Sequence, residues 1–91
     1  MFSVDFSKYA QKQLYKLEGN LKERIINTLE RIKIRPYSFV KKIVGSPYFR
    51  LRVGDYRIIL DIQNNILIIH VLEVGHRKNI YKWLNNIAFF Y

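Results

Sequence analysis

Cysteine is absent from this chain of 91 residues, which excludes a disulfide framework, a thiolate nucleophile and thiolate-bound zinc. No stretch approaches the ~18 consecutive apolar residues of a membrane-spanning helix. The N-terminal MFSVDFSKYA lacks the basic-then-apolar order of a secretion signal, so the expectation is a cytoplasmic protein with no membrane partner. Acid is scarce: seven Asp and Glu stand against sixteen Lys and Arg. A metal-dependent nuclease needs clustered carboxylates, but Asp55 falls in a turn, Asp61 within a strand and Glu73 toward the core. No metal site is expected. The glycines, Gly19, Gly45, Gly54 and Gly75, are isolated, so there is no phosphate-cradling loop. Serine-nucleophile motifs are missing, and no cofactor is implied.

What the chain does have is positive charge, +9 at neutral pH. Such an excess suits a polyanionic partner, most often nucleic acid. An acidic protein or a membrane surface would answer the same charge, and a solvated basic surface is the plainer alternative. Hydrophobic residues make up 49%, enough for one core, and the chain reads as a single domain over 1–91 without repeats or linkers.

Phe2 to Phe6 alternates strictly, as a half-buried strand does. Ser7 is placed to cap a helix whose inner face carries Phe6, Ala10, Leu14 and Leu17. Gly19 reads as its stop, and Asn20 with Glu23 as a capping-box-like start of the next helix. Leu21, Ile25, Leu29 and Ile32 form that helix's stripe, and Pro36 ends it near Ile34. The expectation is an αα-hairpin, roughly 7–18 and 21–34. Residues 36–47 read as a connector. Tyr48–Val53 and Tyr56–Ile62 then form a hairpin about Gly54-Asp55, and Asn64-Asn65 turns into a last strand, Ile66–Val74. Residues 78–88 suit a short closing helix with Trp83 as an apolar anchor. The fold class is therefore α+β: a two-helix hairpin on one face of a mainly antiparallel four-stranded sheet, in β-α-α-β-β-β order.

A two-residue loop at Gly54-Asp55 fixes the pairing. Val53 faces Tyr56, Leu51 faces Ile58 and Phe49 faces Leu60, all on the core side. Arg52 faces Arg57 and Arg50 faces Ile59 on the other. Like charges directly opposite each other on a sheet destabilise it, so the pair hints at an anion site, although arginines also line plain solvated faces. Extending the register puts Leu67, Ile69 and Val71 in the core and Ile66, Ile68, His70, Leu72 and Val74 on the second face. It also brings Gly75-His76-Arg77 back to the edge that holds Arg52 and Arg57, with Tyr81 a turn further on.

Such a set fits RNA cleavage without metal, in which the substrate's own 2′-hydroxyl is the nucleophile. Arginines stabilise added phosphorane charge, histidine titrates near neutrality and carries protons, and tyrosine stacks on bases or takes part in proton transfer. His76 and Tyr81 are also readable as loop and packing residues, and His70 as a mid-strand packing residue.

YFRLRVGDYRIIL followed by HVLEVGHRKNIY resembles the RelE/ParE toxin superfamily: an R-x-R strand, a G-x-Y-R turn, then G-H-R and a downstream tyrosine. The resemblance spans essentially the whole chain. It implies the toxin of a type II toxin–antitoxin system, in the RelE-like branch: a metal-independent endoribonuclease (mRNA interferase) that cuts mRNA in the ribosomal A site, inhibits translation and is neutralised by a RelB-like antitoxin. Carried over by residue, Arg57 matches the phosphate-stabilising arginine, Arg77 the arginine after the last strand and Tyr81 the C-terminal tyrosine. Arg50 and Arg52 match the basic R-x-R positions, where some members have lysine. His76 completes the expected catalytic set of Arg57, His76, Arg77 and Tyr81, and Lys41 and Lys42 join Arg50 and Arg52 as RNA-binding residues. Two other readings stand beside this one: a ParE-like gyrase poison without nuclease chemistry, and a non-toxic nucleic-acid or antitoxin-binding module. Arg57, His76, Arg77 and Tyr81 together favour the ribonuclease.

Overall fold

The computed structural model describes residues 1–80; Tyr81, Trp83 and most of the expected closing helix lie outside them. Ser3–Phe6 forms β1, Lys8–Tyr15 α1 and Gly19–Ile32 α2. A 3-10 turn at Pro36–Ser38 leads into β2, Val40–Lys42, followed by β3 (Phe49–Val53), β4 (Tyr56–Gln63) and β5 (Ile68–His76). Residues 77–80 are helical. The sheet order is β1-β5-β4-β3-β2, with β1 parallel to β5 and every other pair antiparallel. The class is the expected α+β. The sheet has five strands rather than four, because three residues of the presumed connector pair with β3.

The helices bury the stripes their spacing announced. Ala10, Ile25, Leu29 and Ile32 pack with Leu51, Ile58, Leu60, Ile69 and Val71, while Leu14, Leu17 and Phe6 close the margin. Ser7 caps α1 through its Oγ, which accepts the Ala10 N–H at 3.0 Å. The second cap departs from expectation. Glu18 is the N-cap of α2 without a side-chain bond, and Gly19 is the first helical residue, so the joint is made with no left-handed glycine to end α1. Helix α2 stops at Ile32 and Pro36 opens the 3-10 turn.

The β3–β4 register is as the two-residue turn requires: Phe49 opposite Leu60, Leu51 opposite Ile58, Arg52 opposite Arg57, Val53 opposite Tyr56. Gly54 holds φ +58 in that turn, a value costly for residues with a Cβ. The β4–β5 connection is longer than expected. Gln63 pairs with Ile68, leaving residues 64–67 as the turn, with Leu67 at φ 54; Leu67, expected in the core, is turned out by it and is 46% exposed. A register shift at Ile59/Leu60 then places Ile58 opposite Val74 and Leu60 opposite Val71. The extra residue moves Val74, expected on the second face, into the core at 3% exposure. His70 sits across from Asp5 with Nδ1 3.7 Å from its carboxylate.

Candidate nucleic-acid interface

On the sheet face away from the helices, alternation sets Arg50 and Arg52 of β3 side by side. Lys41 of β2 is opposite Arg50, and Arg57 of β4 is opposite Arg52. These four residues and Phe39 line a depression of about 160 Å³. Arg57 is the anchored member. It is only 8% exposed, and its Nη1 donates to the carbonyls of Gly54 and Tyr56, both at 2.9 Å. The hairpin turn thus orients the guanidinium and leaves its other nitrogens for a ligand. Among the described residues the ion pairs are Lys33–Glu30 and Asp5–His70, so no carboxylate neutralises the four cations. Four uncompensated charges at one depression cost the sheet stability and are what a phosphate would repay.

Lys42 does not join them. It lies opposite Phe49, and its Nζ sits 5.7 Å from that ring, on the core side of the sheet. This corrects its expected place beside Lys41. Arg77 reaches the right end of the sheet, its N–H donating to the Asp55 carbonyl at 2.8 Å, with its side chain exposed.

His76 also departs from expectation. Its backbone pairs with Tyr56, next to Arg57 and Gly75, but its ring packs edge-on against Tyr56, with centroids 5.5 Å apart. Its Nδ1 accepts the Lys78 N–H at 3.2 Å. The ring lines a different cavity, about 470 Å³, with Tyr9, Gln13, Glu73 and Ile80, and not the arginine depression. Strand alternation held the signal: Tyr56 faces the helices, so the residue paired with it does too.

That second cavity is polar for a structural reason. Strand β1 ends at Phe6, paired with Val71, so β5 beyond it has a free edge. Gln13 of α1 closes this edge. Its Oε1 accepts the Val74 N–H at 2.7 Å and its Nε2 donates to the Glu73 carboxylate at 2.8 Å. Glu73 is 8% exposed. Burial pushes its carboxyl above the usual carboxylate range, and the Gln13 bond opposes that shift.

The family model for the ParE toxin of type II toxin–antitoxin systems matches residues 4–81. Toxin RelE3 of Methanocaldococcus jannaschii is 33% identical over 90 residues, 88% of this chain and 96% of that protein. The chain belongs to the RelE/ParE toxin superfamily. The toxin in a RelB–RelE antitoxin–toxin complex from Methanococcus jannaschii is 30% identical, with a TM-score of 0.69 over 87% of this chain and 96% of that one. A RelE–RelB complex from Pyrococcus horikoshii gives 25% identity and a TM-score of 0.74, covering 86% and 97%. The RelBE2 complex of Mycobacterium tuberculosis matches with a TM-score of 0.75 at 23% identity, over 84% and 98%, a likeness of fold. No helix among the described residues is long and apolar enough to cross a membrane.

Proposed function

We propose that this toxin is a metal-independent endoribonuclease that cleaves mRNA, in the ribosomal A site, and so blocks translation in the cytoplasm. The observation that carries the reading is the unneutralised depression of Lys41, Arg50, Arg52 and Arg57. In the reaction the 2′-oxygen attacks the adjacent phosphorus and the bond to the 5′-oxygen breaks. A 2′,3′-cyclic phosphate and a 5′-hydroxyl result, while the proton of the 2′-hydroxyl passes to solvent water and another reaches the 5′-oxygen. Arg57, pre-oriented by the turn carbonyls, binds the phosphate oxygens as charge builds. Arg50 and Arg52 hold the flanking backbone, and Arg77 extends the cationic edge. Arginine gives up a proton too reluctantly to act as an acid, so Lys41 protonates the leaving 5′-oxygen. Tyr81 follows the last described turn and positions the base.

The partner that restrains it is an acidic RelB-like antitoxin, as in the complexes of its structural relatives. The gyrase-poison reading has the ParE family match in its favour, but it involves no phosphoryl chemistry, for which four cations without an ion-pair partner among the described residues are suited. Translating ribosomes incubated with the toxin, followed by mapping of mRNA ends, test the proposal. Cleavage leaving 2′,3′-cyclic phosphate ends supports it. Intact mRNA with arrested gyrase–DNA complexes would replace it with the ParE reading, and inertness in both assays with the binding-module reading.

A further inference from the structure

Strand β2 is too short to cover β3. It begins at Val40, opposite Leu51, so among the described residues the edge of β3 at Arg52 and Val53 has no strand beside it. A second depression, about 510 Å³, opens there against α2; Arg24, Asn27 and Arg31 contribute to it from successive positions of one helical face, and Glu23 is the one acid beside the three arginines of its lining. Arg24 lies over the hairpin turn: a Cβ at Gly54 would stand 3.0 Å from its Nη1. Arg52 and Phe39 line both this depression and the arginine depression of the open face, so the two are continuous around the sheet edge. Phe39 stands at the junction with 48% of its surface exposed, a large apolar ring among cations. Neither Arg24 nor Arg31 belongs to the ion pairs of the described residues.

We infer that single-stranded RNA runs through both depressions, with a base stacked on Phe39, its phosphates held on one side by the Arg50–Arg57 group and on the other by Arg24 and Arg31. This rests on the ribonuclease reading and extends it to the nucleotides flanking the cut. Exposed aromatics between cations are how proteins hold single strands without reading sequence. An amphipathic acidic peptide needs a contiguous apolar groove; among the described residues an apolar groove lies elsewhere, between Phe6, Leu14 and Ile26.

The test is binding of an uncleavable 2′-O-methyl oligoribonucleotide of about nine nucleotides by the whole protein across a salt series. Each phosphate contact on a single strand contributes about 0.7 to the slope of log K against log salt. Arg24→Gln with Arg31→Gln should therefore lower the slope by about 1.4, and Arg24→Lys should preserve it, separating lost charge from a disturbed turn. Phe39→Leu should weaken binding about tenfold at every salt with the slope unchanged, and Phe39→Trp should restore it. If wild-type protein neither binds this RNA nor cleaves mRNA, the ribonuclease reading itself falls. If it binds and cleaves while the Arg24, Arg31 and Phe39 variants bind like wild type, only the extended path is overturned. If these variants lose a polyglutamate peptide but keep RNA, the face is a peptide surface and the inference is wrong.

Discussion

At the start of β4 the two faces of the sheet hold two cavities built on opposite principles. Around Arg57, four cations converge with no acid to balance them. Around Glu73, a buried carboxylate and a glutamine satisfy each other and the free edge of β5, and the imidazole beside them accepts the Lys78 N–H. The first cavity leaves its charges unmet, and the second has met nearly all of its polar needs internally. Buried polar groups that satisfy each other contribute to folding, whereas like charges gathered against folding call for a ligand. On the proposed reading the first cavity is for chemistry and the second for architecture, although Tyr56 and Arg57, adjacent in the chain, line one each.

The sharpest break of this contrast is Arg57→Ala. Single-turnover cleavage should fall by about 10²–10³, the loss typical of one transition-state donor, and rate retention would remove the arginine cavity from the chemistry. Next comes the proton. Lys41→Arg keeps the charge but not a readily donated proton, and should cost about 10² in rate with RNA affinity retained. His76→Gln, on the other side of the sheet, should cost less than about tenfold, because loss of a true proton carrier costs ~10²–10⁴. If the two results are exchanged, with His76→Gln crippling and Lys41→Arg mild, the assignment of the cavities is reversed.

Gln13→Ala tests the second cavity as architecture. It strips partners from the Val74 N–H and the Glu73 carboxylate, so thermal unfolding should show a loss of about 1–3 kcal/mol with cleavage at saturating RNA unaffected. The smallest effect belongs to Glu73→Gln. The native carboxyl is raised by burial, so the folded state keeps its proton at pH values where the unfolded chain has lost it. Stability therefore falls as pH rises from the usual carboxylate range through the raised value. Glu73→Gln should abolish that slope. The variant should be slightly the more stable at neutral pH, with the gap closing as pH falls; an unchanged pH profile would mean that Glu73 is not the group responsible.

How far the sequence disclosed this arrangement depends on how tightly each segment constrains its own geometry. The Gly54-Asp55 turn has two residues, and two residues permit one pairing, so Arg52 opposite Arg57 was readable without coordinates. Strand β2 was hidden because Val40-Lys41-Lys42 has no alternation to show; β3 makes it a strand, and with it Phe39 and Lys41 become part of the site. The bulge at Ile59/Leu60 left no mark because β4 there is apolar on both faces, and either register would bury an aliphatic side chain. The expected convergence of His76 with the arginines took proximity along the backbone for a shared face.

The first strand of the protein pairs with the last: Ser3 lies beside Ile68 and Phe6 beside Val71, and Ser7 Oγ donates to the Leu72 carbonyl across 65 residues of chain. Contacts of that separation form late, because the intervening loop must close before they return any energy. During synthesis the N-terminal strand and both helices emerge with nothing to complete their sheet, and β4, which carries Arg57, stays an uncovered edge until β5 arrives. The arginine depression therefore gains its full sheet only once β5 has been made, near the end of the described residues.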